Sequence, residues 1–216
     1  MKIKKYKAVI MDFDMTIADT GDLIEECLYT NALRFGYDLD RKKLRAGIGM
    51  TAGDLYRSAG VSDSEATRLH DEYIPYSAAI MCEKTEFFPG VAEGLAALNE
   101  RGVCLAVLSL KASRQIWAPL ERKSIDKLIH YVVGPDEVAA HKPDPAGIYY
   151  LSEKMNIALD DILYVGDSVT DMKTAVAAGV DFAAVCTGAL SAKDFAEKGA
   201  KMIYPNFAAV CRKLCE

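Results

Sequence analysis

The chain of 216 residues suits one domain, or one domain carrying an insert, and is long enough to bury a core without disulfides or a structural metal. Its net charge of −5 comes without a dense Lys/Arg block, which argues against nucleic acid as a main partner, because affinity for a phosphate backbone needs clustered cations. No apolar run approaches the roughly 18 residues of a membrane helix. The basic start (Lys2, Lys4, Lys5, Lys7) leads into a short strand with no small-residue cleavage pattern, so neither a membrane nor a signal peptide is expected and the location is read as cytoplasmic.

The first element is Lys7–Met11, a short apolar run ending in Asp-Phe-Asp, which reads as a buried parallel strand with acids at its C-terminal end. Helical signals dominate from about 20 to 88. Asp22 with Glu25 reads as a capping box opening a helix closed by Gly36, and Ser62 with Glu65 repeats that pattern. No strand is evident there, so the stretch reads as a small helical insert.

After Pro89-Gly90 the pattern alternates. A helix over Val91–Arg101 leads to the apolar strand Val103–Leu108, then to a helix from Ser113 to Glu121 whose length Pro119 limits. Tyr131–Val133 is a strand, a helix runs from Pro145 towards Asn156, and Ile162–Val165 is a strand ending at Gly166-Asp167. A helix after Thr170 stops at Gly179, Phe182–Cys186 is a strand, and a helix–strand–helix unit with Met202–Tyr204 at its centre ends the chain. Alternation of this kind means an α/β fold, a parallel sheet covered on both faces, with ligands bound at the carboxyl ends of the strands. The six cysteines are scattered through apolar segments and read as buried free thiols.

Four features follow four different strands: Asp12 with Asp14, Ser109, Lys142 after a loop, and Asp167 with Asp171. In a parallel sheet they converge on one crevice. Carboxylates gathered at one edge repel each other, and a hard divalent cation relieves that repulsion. An oxygen-only donor set favours Mg²⁺, which keeps several waters and shares its site with a phosphate. Asp12 and Asp14, two apart where the chain leaves the extended form, can address one reacting group as nucleophile and as general acid–base. Lys142 supplies a fixed positive charge, and Ser109 with the amides beyond it supplies hydrogen-bond donors.

Asp12-Phe-Asp14-Met-Thr16, the strand ending in Ser109, Lys142-Pro143 and Gly166-Asp167-Ser-Val-Thr-Asp171 resemble, in order and spacing, the four motifs of the haloacid-dehalogenase superfamily. The resemblance covers essentially the whole chain and lies nearest the phosphoglycolate-phosphatase-like branch. It implies a Rossmann-like core of residues 1–16 and 89–216 with a helical cap over 17–88. It implies Asp12 as nucleophile and Asp14 as acid–base. Mg²⁺ would be held by Asp12, the backbone carbonyl of Asp14, and Asp167, with Asp171 as ligand or supporting residue. Thr16, Ser109, Leu110 through its backbone, and Lys142 would grip the phosphoryl group. Asp14 separates the chain from the halide-displacing branch, which needs no acid for its leaving group.

Two positions depart from the family pattern. Met15 stands where glycine is usual, so a left-handed backbone there would cost very roughly 1 kcal/mol. Leu110 stands where asparagine is common and keeps only a backbone donor. Both departures bear on substrate identity. Gly47-Ile-Gly49-Met50-Thr51-Ala-Gly53 lacks the dinucleotide spacing and reads as a helix–loop–helix junction, and the resemblance suggests a specificity loop there.

The expected function is Mg²⁺-dependent hydrolysis of a small phosphorylated metabolite through a phospho-aspartyl enzyme. The competing enzyme classes are a phosphosugar mutase, a pyrophosphatase and a nucleotidase of the same superfamily. The mutase is weakened by the missing cap histidine after the first motif. A non-catalytic phosphate-binding regulatory module is the competing non-enzyme, and the intact Asp12, Asp14, Lys142 and Asp167 oppose it. Monomer and homodimer are not distinguished by the sequence.

Overall fold

The computed structural model describes residues 4–216, so Lys2 of the basic start lies outside the described residues. Strand β1 (Ala8–Met11) leads into a tight loop, the two-residue strand β2 (Ala18–Asp19) and four helices: α1 (Gly21–Arg34), α2 (Arg41–Ala46), α3 (Ala52–Ser58) and α4 (Asp63–Lys84). A second two-residue strand, β3 (Glu86–Phe87), pairs antiparallel with β2, so the chain leaves and re-enters the core through one narrow ribbon. The remainder alternates as α5 (Val91–Glu100), β4 (Cys104–Leu108), α6 (Ser113–Arg122), β5 (Tyr131–Val133), α7 (Ala146–Met155), β6 (Ile162–Gly166), α8 (Val169–Ala178), β7 (Asp181–Val185), α9 (Ala192–Glu197), β8 (Met202–Tyr204) and α10 (Phe207–Cys215).

The main sheet has the order β5-β4-β1-β6-β7-β8, and every pairing in it is parallel. β1 sits at the centre, so its short apolar run must bury both faces. Val9 and Met11 join Leu105, Val107, Leu163 and Val165 under α5, α6 and α10, while Ala8 and Ile10 join Ala106, Leu108, Ile162 and Tyr164 under α7 and α8. A third apolar cluster, including Leu28, Leu44, Leu55, Tyr56 and Leu69, lies wholly within α1–α4. The helical segment therefore has its own core.

Several local expectations are corrected. The Asp22/Glu25 capping box does not form: Thr20 occupies the cap position, Asp22 pairs with Arg45 at 2.5 Å and Glu25 pairs with Arg41 at 2.7 Å. The arginines of α2 have taken the carboxylates that the box would have used. Ser62 does cap α4, but its side chain makes no cap bond, and Glu65 pairs with Arg68 instead. Strand β3 escapes a sequence reading because two residues carry no period. Pro119 lies inside α6, which runs to Arg122, one residue beyond the expected Glu121. The Gly47–Gly53 stretch is a helix–loop–helix junction: Gly47 closes α2 and the Thr51 hydroxyl accepts from the Asp54 amide at 3.1 Å to open α3.

Candidate active site

The parallel sheet delivers its strand ends to one edge. Asp12 follows β1 directly, and its amide donates to the Val165 carbonyl at 2.9 Å, which ties the residue to β6. Asp167 follows β6. The carboxylate oxygens of Asp12, Asp167 and Asp171 can be chosen to lie within 4.8 Å of one another, and all three residues are buried. Two glycines make this crowding possible: a Cβ on Gly166 would lie 2.4 Å from Asp171 Cβ, and one on Gly188 would lie 2.0 Å from Asp167 Oδ2.

Lys142 is the cation of the cluster. Its Nζ lies 3.0 Å from Asp12 Oδ1 and 2.7 Å from Asp171 Oδ1, with the side chain 3% exposed. Burial alone would lower its pKa, but the two carboxylates outweigh burial and hold the ammonium charged. Burial pushes the Asp12 carboxyl up to about 7; Lys142 opposes this, and the nearby charges of Asp171 and Asp14 add to it. Asp167 is raised well above the carboxylate range, by burial first and then by Asp171 and Asp12. One lysine is thus too little positive charge for three buried acids.

Asp171 faces a full set of donors. Oδ1 accepts from Lys142 and, at 2.9 Å, from the Tyr164 hydroxyl, while Oδ2 accepts from the amide and hydroxyl of Ser168 in a capping box that opens α8. Both oxygens are engaged, holding Lys142 and the β6–α8 turn, while the carboxylate stays in the cluster with Asp12 and Asp167. Thr16 is fully buried, and its hydroxyl donates to Asp167 Oδ1 at 3.0 Å, which orients that carboxylate. Ser109 keeps its donor free, since its hydroxyl oxygen accepts from the Lys111 amide at 3.3 Å. Leu110 beside it is half-buried.

Asp14 stands apart from the buried trio and is partly exposed. Its Oδ1 accepts from the Thr20 hydroxyl and from Lys111 Nζ, each at 2.8 Å. Met15 adopts φ 58°, so the left-handed backbone is real and a side chain occupies it despite the conformational cost. The Thr187 hydroxyl donates to the Met15 carbonyl and steadies this turn.

In the α2–α3 junction, Gly49 (φ 105°) rests on the core: a Cβ there would lie 3.1 Å from Ser168 Cβ, next to Asp167. Met50 is exposed, and Thr51 is occupied in capping α3. A cleft of about 420 Å³ opens between α1–α2 and the loop after β7, lined by Met15, Arg41, Lys42, Arg45, Thr187 and Gly188 among others.

The sequence reading missed Lys111, Thr20, Tyr164, Ser168 and the Thr187-Gly188 pair. Lys111 was within reach, being two residues beyond Ser109; the others announce themselves only through contacts made by the fold.

The sequence matches the haloacid dehalogenase-like hydrolase family over residues 9–185. The chain belongs to that family. It is 31% identical over 218 residues to the phosphoglycolate phosphatase of Rhodospirillum rubrum, covering 94% of this chain and 89% of that protein. Phosphoglycolate phosphatase 1 of Pseudomonas aeruginosa is 28% identical over 208 residues, covering 93% and 76% of the two chains. Among solved structures, a haloacid dehalogenase-like hydrolase from Bacteroides fragilis superposes with a TM-score of 0.89 at 28% identity, over 95% of this chain and 100% of that one. As a hydrolase of this family, the protein has the family's α/β fold with the acid cluster at the sheet edge. No helix among the described residues is long and apolar enough to cross a membrane.

Proposed function

We propose that the protein hydrolyses a small phosphomonoester by passing its phosphoryl group to Asp12 and then to water, with phosphoglycolate the leading substrate and the cytoplasm its setting. The observation that carries this reading is the buried Asp12 carboxylate at the head of the central strand, in contact with Lys142 and flanked by Asp167. A nucleophile needs its attacking oxygen in a site that neutralises the incoming phosphoryl oxygens, and in this reading Lys142 and Ser109 do so. The first step forms the bond from an Asp12 oxygen to phosphorus as the ester P–O bond breaks, and Asp14 gives its proton to the departing oxygen. In the second step Asp14 takes a proton from water as the water oxygen displaces Asp12.

The donor set fits a hard cation. It offers only oxygen, the carboxyls of Asp12 and Asp167 are raised by burial first and then by neighbouring negative charge, and the backbone of Gly188 presses against Asp167 where a side chain would collide. Mg²⁺ would be held by Asp12, the Asp14 carbonyl and Asp167, with Asp171 supporting, and would supply charge neutralisation at the phosphoryl oxygens. The test is phosphate release from a panel of small phosphomonoesters, bisphosphates and pyrophosphate, with Mg²⁺ and with EDTA. Release from monoesters that stops with EDTA supports the reading. Turnover only of a hexose phosphate primed by its bisphosphate would favour the mutase, and no turnover of any kind would favour a binding module.

The cleft supports a metabolite with a second anionic group. Its wall carries Arg41, Lys42 and Arg45 together with Glu25, so the cations outnumber the acid lining it; Arg41 is paired to Glu25 at 2.7 Å and Glu26 at 2.5 Å, and Arg45 is braced by Asp22 and, at 3.9 Å, by Glu25. Arg45→Gln is expected to lower kcat/KM for phosphoglycolate about 10- to 100-fold, the worth of one charge-assisted hydrogen bond. An uncharged alkyl phosphate of similar size should be little affected. Equal losses on the two substrates would remove Arg45 from recognition.

A further inference from the structure

We infer that Lys111 is a positioning residue for Asp14, fixing which of its carboxylate oxygens faces the reacting phosphate; this rests on the phospho-aspartyl reading above. Two donors, Lys111 Nζ and the Thr20 hydroxyl, converge on Asp14 Oδ1 at 2.8 Å each. Among the described residues no side chain donates to Oδ2. A carboxyl group whose Oδ1 is engaged by two donors has to carry its transferable proton on Oδ2. A half-turn of the protonated carboxyl would aim its O–H at the two donors and forfeit both bonds, one of them to a full positive charge.

Lys111 is suited to this holding role. Its side chain is 8% exposed, and Asp14 is its sole ion-pair partner among the described residues. Its Nζ also sits 5.6 Å from the centre of the Phe13 ring, a favourable placement for a cation. Its backbone is anchored beside Ser109 at the end of β4, in the core sheet, whereas Thr20 lies between β2 and α1 where the chain enters the helical segment. Asp14 is therefore held from the sheet side as well as from the ribbon.

The consequence separates the two half-reactions. Forming the Asp12–phosphorus bond requires a proton from Asp14 Oδ2 only when the leaving oxygen is basic. A nitrophenolate departs without it, whereas an alkoxide does not. Since kcat/KM reports only on steps up to the first irreversible one, it isolates the attack by Asp12 from the later attack by water.

The experiment compares wild type, Lys111→Met and Lys111→Arg with Mg²⁺ on p-nitrophenyl phosphate and on an alkyl phosphate of similar size, with thermal unfolding as a check on folding. For Lys111→Met, kcat/KM on the alkyl phosphate is expected to fall ~10²-fold, the lower end of what a placed acid contributes, while the aryl value changes no more than about threefold. Because water still needs Asp14 as base, the same variant should show a burst of p-nitrophenol. Lys111→Arg should recover most of the alkyl activity. Equal losses on both substrates would overturn the inference, giving Lys111 to substrate binding or to folding, and so would no loss on either. A wild type inactive on both would overturn the phosphatase reading and this inference with it.

Discussion

Lys142→Met is expected to cost both stability and turnover. The wild-type ammonium touches Asp12 and Asp171 at 3.0 and 2.7 Å in a site where all three side chains are almost fully buried. Methionine fills much of the same volume but leaves two buried carboxylates facing each other, with Asp167 a third. Removing one partner of a buried ion pair typically costs about 3–5 kcal/mol, because the remaining charge keeps its desolvation penalty and loses its compensation. For a domain of this size that corresponds to a melting temperature lower by roughly 10 °C. On the proposed mechanism, loss of this fixed cation should lower kcat by about 10²- to 10³-fold, as for loss of one oxyanion donor. Thermal unfolding at neutral pH and phosphate release measure the two effects. An unchanged melting temperature would mean that the acids are screened by something other than Lys142.

The sheet and the acid edge were legible because they obey simple rules. β1, β4 and β6 are continuous apolar runs because each is buried on both faces, and Asp12, Ser109 and Asp167 follow directly where those runs stop. The helical segment was legible as helical but not in its details. Its surface carboxylates had more than one basic partner available, and Arg41 and Arg45, distant in sequence, won Glu25 and Asp22. The partners of Thr16 and Asp171, 151 and 29 residues away, were not legible, because no local pattern encodes such pairings. Met15 was the informative departure: a side chain at a left-handed position shortly after Asp12 is tolerated because the Thr187 hydroxyl and the Ala18 carbonyl hold its peptide groups. What remained hidden in the site, above all Lys111 on Asp14, is side-chain contact across 97 residues.

The Asp12→Asn variant should move activity and stability in opposite directions. Without the nucleophile proposed here the protein should lose turnover by on the order of 10⁴-fold or more. Its metal-free fold, however, should be more stable than wild type above neutral pH. The Asp12 carboxyl is held at about 7 in the fold, against an ordinary value near 4 when unfolded. Between those values the folded state binds more protons than the unfolded state, so stability falls as pH rises and the full penalty is present above about 7. A tenfold change in a group's proton affinity between the two states is worth ~1.4 kcal/mol, and because Asp12 shares its field with Asp167 and Asp171, a gain of about 2–3 kcal/mol on removing its charge is the reasonable scale. Unlike loss of Lys142, this change leaves no orphaned charge, since Lys142 keeps Asp171. In EDTA at pH 8, Asp12→Asn should therefore melt about 5–10 °C above wild type, and at pH 5 the gap should shrink as the wild-type carboxyl takes up its proton. Saturating Mg²⁺ at pH 8 should close the gap by stabilising wild type more than the variant, by about 2.7 kcal/mol at a hundredfold excess over Kd. If the two proteins melt together in EDTA at both pH values, the buried acids do not repel as their geometry requires. If they differ in EDTA but Mg²⁺ leaves the gap open, the repulsion is real and the cluster does not bind the ion.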